Sequence, residues 1–99
     1  MSEPVLHLIA TITAYEGAEA QVEAALRALV EPTRAEPGCE RYDLCFHCEA
    51  KDRFILVERW ASHAAWRAHM ATSHVNRFRE TTAGLIADFQ LEQLQARSN

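Results

Sequence analysis

The chain has 99 residues, of which 48% are hydrophobic and 24% charged, with a formal net charge of -4 at pH 7. We expect a single domain over residues 1–99, and because so small a domain leaves much of its surface in water, pairing with a second copy would stabilise it. The acidic balance and the scattered Lys and Arg residues argue against binding to nucleic acid. Without a basic leader or a run of roughly 18 apolar residues, the sequence predicts a soluble, cytoplasmic protein with no membrane partner.

The first part of the chain predicts a strand and then an amphipathic helix. Residues Leu6–Ala14 are rich in branched side chains, and Glu16-Gly17 makes a turn. From Ala18 onward, one face repeats apolar side chains at helical spacing: Val22, Ala25, Leu26, Leu29 and Val30. We expect Pro32 to kink or loosen the last turn of this helix, which ends at residues 36–38.

Two strands joined by a turn at residues 50–52 should then pair antiparallel. In the first, residues 40–49, the side chains alternate, and one face carries Tyr42, Leu44, Phe46 and Cys48. In the second, residues 54–60, one face carries Phe54, Leu56 and Trp60, and the other carries Ile55 and Val57. Because helices can cover only one side of a sheet, the second apolar side predicts sheet-on-sheet dimerisation.

The cysteines Cys39, Cys45 and Cys48 are odd in number, which favours reduced thiols over a disulfide framework. Cys45 and Cys48 have a spacing that occurs in redox and zinc motifs. Residues three apart on a strand point to opposite faces, however, so we interpret both as small strand residues.

The last third of the chain predicts helical structure and a final strand. Ser62 is a candidate N-cap for a helix to about residue 71, and Ser73 for a further segment. One face of that segment carries Val75, Phe78, Thr82, Leu85 and Ile86. Residues 88–95 form the last strand. The order β-α-β-β-α-β predicts a ferredoxin-like α+β fold, an antiparallel four-stranded sheet with helices on one face.

Chemically versatile side chains concentrate between residues 58 and 74. This segment contains Glu58, Trp60, His63, Trp66, His69 and His74. Titratable groups beside large aromatic rings suit a pocket for a flat, mostly apolar ligand. The predicted helix starts within two residues of Trp60 and returns over the strand, so we expect a site between sheet and helices with His69 and His74 on its wall.

Three groups of residues carry a family resemblance that extends from Leu6 to about Leu94. They are Glu36-Pro37-Gly38-Cys39 leading into Tyr42, residues 54–60 followed by Ser62, and His69 with His74 and Phe78. In their order and spacing the chain resembles the antibiotic biosynthesis monooxygenase family of dimeric α+β barrels. The resemblance implies a homodimer whose two sheets close a barrel, with a pocket in each subunit. Some members oxidise quinols or polyphenolic compounds with dioxygen and no cofactor.

This resemblance implies roles for the candidate residues. Without a cofactor the substrate must itself form an anion and donate the electron to dioxygen, so the protein supplies binding, deprotonation and an enclosed site. His69 and His74 are the candidates for base or hydrogen-bond partner, and Glu58 is expected to be paired or to have a raised pKa. Four rings could hold a flat substrate: Tyr42, Trp60, Trp66 and Phe78. We therefore predict a cofactor-independent monooxygenase for a quinol-type or polyphenolic compound, with no flavin, haem or metal.

Alternatives remain open for each of these residues. The histidines could cap helices or face solvent, Glu58 could pair with an arginine, and the tryptophans could belong to the core. A metal site is disfavoured because His69 and His74 are five residues apart, off the i, i+4 spacing. The haem-degrading branch is disfavoured because its Trp and His positions correspond to His69 and Arg79, and the first strand has no Asn. The remaining alternative is a non-catalytic dimer that binds a small aromatic compound or acts as a stress-related domain, which only turnover can separate from an enzyme.

Overall fold

The fold is a four-stranded antiparallel sheet with three helices, described by the computed structural model for residues 3–97. The elements are, in chain order, β1 (Leu6–Ala14), α1 (Glu19–Arg34), β2 (Cys39–Phe46), β3 (Arg53–Trp60), α2 (His63–Met70), α3 (Ser73–Thr81) and β4 (Ile86–Leu94). The strand order in the sheet is β2-β3-β1-β4, and every neighbouring pair is antiparallel. The predicted ferredoxin-like arrangement is confirmed, with the second helical region divided into two helices.

The core lies between one face of the sheet and the helices. Along β1 every second side chain is buried, from Leu6 to Ala14, and along β3 burial likewise alternates. Helix α1 contributes its apolar stripe to this core: Val22, Ala25, Leu26 and Leu29, with Thr33 one turn further on. The buried faces of the strands and the apolar face of α1 therefore pack together in a single hydrophobic core.

Several element boundaries differ from those predicted. Strand β2 ends at Phe46, so Cys48 lies in the following turn and does not share a strand face with Tyr42. Cys45 and Cys48 are both exposed free thiols. Pro32 lies inside α1, yet the helix continues to Arg34, and Ala35 N still donates to Glu31 O at 3.2 Å.

The end of the helical region also differs from prediction. Thr72 rather than Ser73 caps α3, because its Oγ1 accepts from Val75 N at 3.4 Å. The helix ends at Thr81, and Gly84 has a φ of +79°, a conformation that turns the chain out of a helix. Ile86 was predicted on the helical face but begins β4, two residues earlier than predicted.

The sheet face that points away from the helices carries apolar side chains at its centre. Ile9 on β1 and Ile55 and Val57 on β3 are half-buried in the single chain, and the register pairs Ile9 with Val57. Their positions agree with the two-sided apolar pattern expected for β3. Within residues 3–97, none of the helices has the length and apolar character that crossing a membrane requires.

Candidate active site

A cavity of about 350 Å³ lies between the sheet and helices α2 and α3. Its walls are formed by Ala10, Leu29, Tyr42, Leu56, Glu58, Trp66, His69, Met70, Val75, Phe78, Arg79, Thr82, Ile86, Phe89 and Leu91. Most of these side chains are apolar or aromatic, and a few titratable groups converge among them. Both the size and the composition are those of a small-molecule site.

The cavity brings together five of the seven site residues predicted from the sequence. Tyr42, Glu58, Trp66, His69 and Phe78 all line it. The other two, Trp60 and His74, do not. Trp60 is fully buried behind His69, with the two ring centroids 4.8 Å apart, and His74 lines a separate groove between α1 and α3.

Glu58 is a carboxyl group at a core position. The alternation of β3 turns it toward the helices, where it is only 6% exposed and its Oε1 accepts a hydrogen bond from Trp60 Nε1 at 2.9 Å. Burial raises the pKa of Glu58 to about 7, the Trp60 hydrogen bond lowers it, and the charge of Glu36 raises it further. Among residues 3–97 Glu58 forms no ion pair. Of the two expectations for Glu58, the structure shows the raised pKa.

His69 belongs to a triad with Glu36 and His74, and of the three only His69 lines the cavity. Glu36 follows α1 in the connection to β2, and a single oxygen of its side chain, Oε2, contacts both imidazoles. The distances are 2.7 Å to Nδ1 of His69 and 2.6 Å to Nε2 of His74. Because a carboxylate only accepts, both ring nitrogens donate to it. With Glu36 ionised, this arrangement assigns the proton of His69 to Nδ1.

The second ring nitrogen of His69 is available for chemistry. The side chain is 5% exposed, and its ring packs against Trp60 and, edge-on, against Tyr42 at 5.7 Å between centroids. Burial lowers the pKa of His69, although the neighbouring Glu36 carboxylate raises it. At neutral pH the imidazole is therefore uncharged. Its Nε2 then has a lone pair and no hydrogen-bond partner within residues 3–97.

Local sequence features hold the triad in place. Gly38 has a φ of +85°, and a Cβ on it would lie 2.6 Å from the Cβ of Ala65 in α2. Gly38 O also accepts from Ala61 N at 2.8 Å, so the connection that carries Glu36 is fastened against the start of α2. At the other end of α2, Thr72 Oγ1 donates to His69 O at 2.7 Å while it caps α3. This corner turns His69 and His74 toward the same carboxylate.

The donor atoms of the triad lie within 4.8 Å of one another and are of the types that bind divalent transition metals. The spacing argument made from the sequence did not anticipate this, since it treated the two histidines alone and not the helix break between them. The separations of 2.6 and 2.7 Å are hydrogen-bond lengths. Two ligands on one tetrahedral metal lie roughly 3.3 Å apart. The geometry is that of a hydrogen-bonded triad.

Sequence reasoning missed two site residues. Glu36 was assigned to the end of a helix and to a family-like segment, and its contacts with His69 and His74 span 33 and 38 residues. Arg79 was considered only as a departure from a haem-binding pattern, yet it lines the cavity. Its position four residues after Val75 on α3 was the signal that could have placed it there, because Val75 also lines the cavity.

Comparison with known proteins gives the family. A sequence profile described as antibiotic biosynthesis monooxygenase matches residues 5–81. The chain belongs to the antibiotic biosynthesis monooxygenase family. The resemblance inferred from residues 36–39, 54–60 and the histidines is thereby confirmed.

Relatives of this family member include proteins named as monooxygenases and a solved structure with the same fold. The chain is 33% identical over 86 residues to "Putative monooxygenase Rv0793" of Mycobacterium tuberculosis, and the matched region covers 87% of this chain and 83% of the relative. It is 27% identical over 75 residues to "Probable quinol monooxygenase YgiN" of Escherichia coli, covering 68% and 72%. The crystal structure of PA3566 from Pseudomonas aeruginosa superposes with a TM-score of 0.94 at 38% identity, covering 99% of each chain. The relatives support a general monooxygenase role.

Proposed function

We propose that this antibiotic biosynthesis monooxygenase family member oxidises a quinol-type or polyphenolic aromatic compound with dioxygen and without a cofactor. One observation carries the proposal. His69, on the wall of the cavity, has Nδ1 in contact with Glu36, while its Nε2 has no hydrogen-bond partner in the described part of the chain. A neutral imidazole oriented through one nitrogen is the arrangement that general-base chemistry uses.

The chemistry follows from what dioxygen requires. Nε2 of His69 accepts the proton of a substrate hydroxyl or acidic C–H, and the resulting anion transfers one electron to dioxygen. The substrate radical and superoxide then combine through a new C–O bond. The O–O bond and the C–H bond at that carbon then break to leave a carbonyl, and the second oxygen departs as water with that proton and the proton held on Nε2 of His69. Both electrons for that water come from the substrate, so no external reductant is consumed.

The remaining cavity residues suit such a substrate. Tyr42, Trp66 and Phe78 offer ring faces and edges to a flat aromatic compound. Arg79 is the only lysine or arginine among the lining residues, and its charge would attract a phenolate. Glu58, with a pKa of about 7, can donate a hydrogen bond when protonated and accept one when ionised.

We further propose that the functional unit is a homodimer joined through the sheet faces, with one cavity in each subunit. The support is the apolar centre of the open sheet face, where Ile9, Ile55 and Val57 are only half-buried in one chain. The proposed partners are therefore a second copy, a small aromatic substrate and dioxygen.

The first prediction tests the activity and its base. Chelator-treated protein should consume oxygen with at least one member of a panel of hydroquinones and anthrone-like phenols faster than that compound autoxidises. His69→Gln should lower turnover by about a hundredfold or more, because it removes the base. His63→Gln is the matched control, since His63 is half-buried on the same helix and is absent from the cavity wall.

The outcomes separate an enzyme from a binding protein. Oxygen uptake no faster than autoxidation for every compound, with binding retained, would replace the proposal by a non-catalytic protein that binds small aromatic compounds. Equal losses in the His69 and His63 variants would remove His69 from the mechanism and leave Glu58 as the next candidate for the base.

A further inference from the structure

We infer that Glu36 and His74 are positioning residues for His69. In this arrangement His74, from the groove between α1 and α3, holds the carboxylate of Glu36, which fixes the proton of His69 on Nδ1 and stabilises the imidazolium that forms during turnover. The inference rests on the proposed function, and it gives His74 a role outside the substrate cavity.

The geometry at the Glu36 carboxylate supports this inference. Two donors on different helices converge on one oxygen, Oε2, with distances of 2.7 and 2.6 Å. Short hydrogen bonds to an ionised acceptor are about twice as strong as neutral ones. Two such bonds hold the carboxylate in one orientation toward His69. They also disfavour the tautomer of His69 with its proton on Nε2, because Nδ1 could not then donate to the carboxylate.

The two histidines of the triad lie in different places. His69 lines the cavity, whereas His74 lines the separate groove of about 600 Å³ between α1 and α3. The exposed fractions of the three side chains rise outward along the triad, from 5% for His69 to 10% for Glu36 and 20% for His74. His74 uses Nε2 to reach Glu36, so it contacts the carboxylate and not a substrate in the cavity.

The charge on His69 changes during turnover. At rest the burial of His69 lowers its pKa and keeps Nε2 free to accept a proton. When Nε2 is protonated, the imidazolium has the Glu36 carboxylate 2.7 Å from Nδ1, and this contact is worth more in the transition state than in the neutral resting state. Such a carboxylate beside a histidine base acts by setting the tautomer and stabilising the charge.

The second prediction uses three variants and two measurements. In Glu36→Gln, kcat for the active panel compound should fall about a hundredfold or more with KM changed less than about threefold, because the substrate does not touch Glu36. His74→Leu removes the second donor and should lower kcat by about tenfold. His74→Gln keeps an amide donor within reach of Glu36 and should recover most of that loss.

The second measurement needs no turnover. In ¹⁵N NMR spectra of the substrate-free protein, His69 should be the Nδ1–H tautomer in the wild type and a mixture of tautomers in Glu36→Gln. If the protein turns over no compound of the panel but shows this change of tautomer, the positioning role of Glu36 stands and the proposed function fails. If Glu36→Gln is fully active and His69→Gln is inactive, the proposed function stands and the positioning role of Glu36 fails.

Two further results would overturn the inference. One is a His74→Gln variant as impaired as His74→Leu, because restoring a hydrogen-bond donor to Glu36 would then not restore activity. The other is loss of wild-type activity on chelation with recovery on adding a divalent cation, since the three side chains would then be metal ligands. Should Glu36→Gln fail to fold, the comparison of the two His74 variants still decides the question, because His74 lies at the rim of the triad.

Discussion

A carboxyl group at a core position of a strand is unusual, because an ionised carboxylate is costly to bury without a partner of opposite charge. Glu58 has one hydrogen bond, from Trp60, and a pKa of about 7. The folded protein therefore holds a proton on Glu58 at pH values where the unfolded chain has released it. This places a titration in the cavity at neutral pH, with a direct consequence for stability.

The third prediction concerns the stability of Glu58→Gln relative to the wild type. The glutamine keeps the hydrogen bond from Trp60 and cannot ionise. Between the ordinary value of 4.5 and about 7 the folded wild type binds more protons than the unfolded chain, so its free energy of unfolding falls as pH rises. The wild type should lose up to about 3 kcal/mol relative to the variant between pH 4.5 and pH 8. Denaturant unfolding at several pH values measures this difference, and contributions from His69 cancel in it. A difference that does not vary with pH would show that Glu58 has an ordinary pKa.

At the scale of elements, the connection between α1 and β2 decides whether the triad exists. Gly38 combines a left-handed backbone with a close approach to Ala65. Only glycine suits this position, because any side chain would be strained by the backbone and would meet Ala65. The two other glycines of the chain, Gly17 and Gly84, also have positive φ, but a Cβ on either would contact nothing within 4 Å. The close approach at Gly38 is what brings Glu36 to α2.

The fourth prediction compares two glycine substitutions. Gly17→Ala should cost about 1–2 kcal/mol for the left-handed backbone alone. Gly38→Ala should cost about 1–3 kcal/mol more, because its Cβ meets Ala65, and it should also reduce activity by displacing Glu36. Adding Ala65→Gly should recover part of that extra loss, although glycine costs about 1 kcal/mol in a helix. Thermal unfolding of the four proteins measures these effects, and equal losses for Gly17→Ala and Gly38→Ala would argue against the close approach.

At the scale of the whole molecule, the sheet is covered on one side only. The helices bury the side that carries Leu8, Leu56 and Trp60, while Ile9 and Val57 on the other side remain in partial contact with water. A 99-residue chain with this uncovered apolar face has a clear thermodynamic reason to pair.

The fifth prediction is that the protein sediments as a dimer at micromolar concentration, with a buried area well over about 1,000 Å². Val57→Lys puts a charge at the centre of the open face and should yield a monomer. Ala20→Lys, at an exposed position of α1, adds the same charge elsewhere and should remain dimeric. A wild type that sediments as a folded monomer would contradict the sheet-face interface.

The sequence by itself determined the order of the elements, the composition of the two faces of β3 and five of the fifteen residues that line the cavity. These features depend on local periodicity: Phe54, Leu56, Glu58 and Trp60 share a face because strand residues alternate, and Ser62 caps α2 through a bond to Ala65 only three residues away. Signals of this range are present in any short window of the chain. For that reason Tyr42, Glu58, Trp66, His69 and Phe78 could be placed at the cavity in advance.

Only the tertiary structure decided which side chain orients which. Glu36 meets His69 and His74 across 33 and 38 residues, and that meeting depends on the approach of Gly38 to Ala65 and on the break between α2 and α3. The same packing put Trp60 behind His69 and turned His74 into the neighbouring groove. None of these contacts leaves a periodic trace in the sequence, because each arises from the three-dimensional juxtaposition of elements that are distant along the chain.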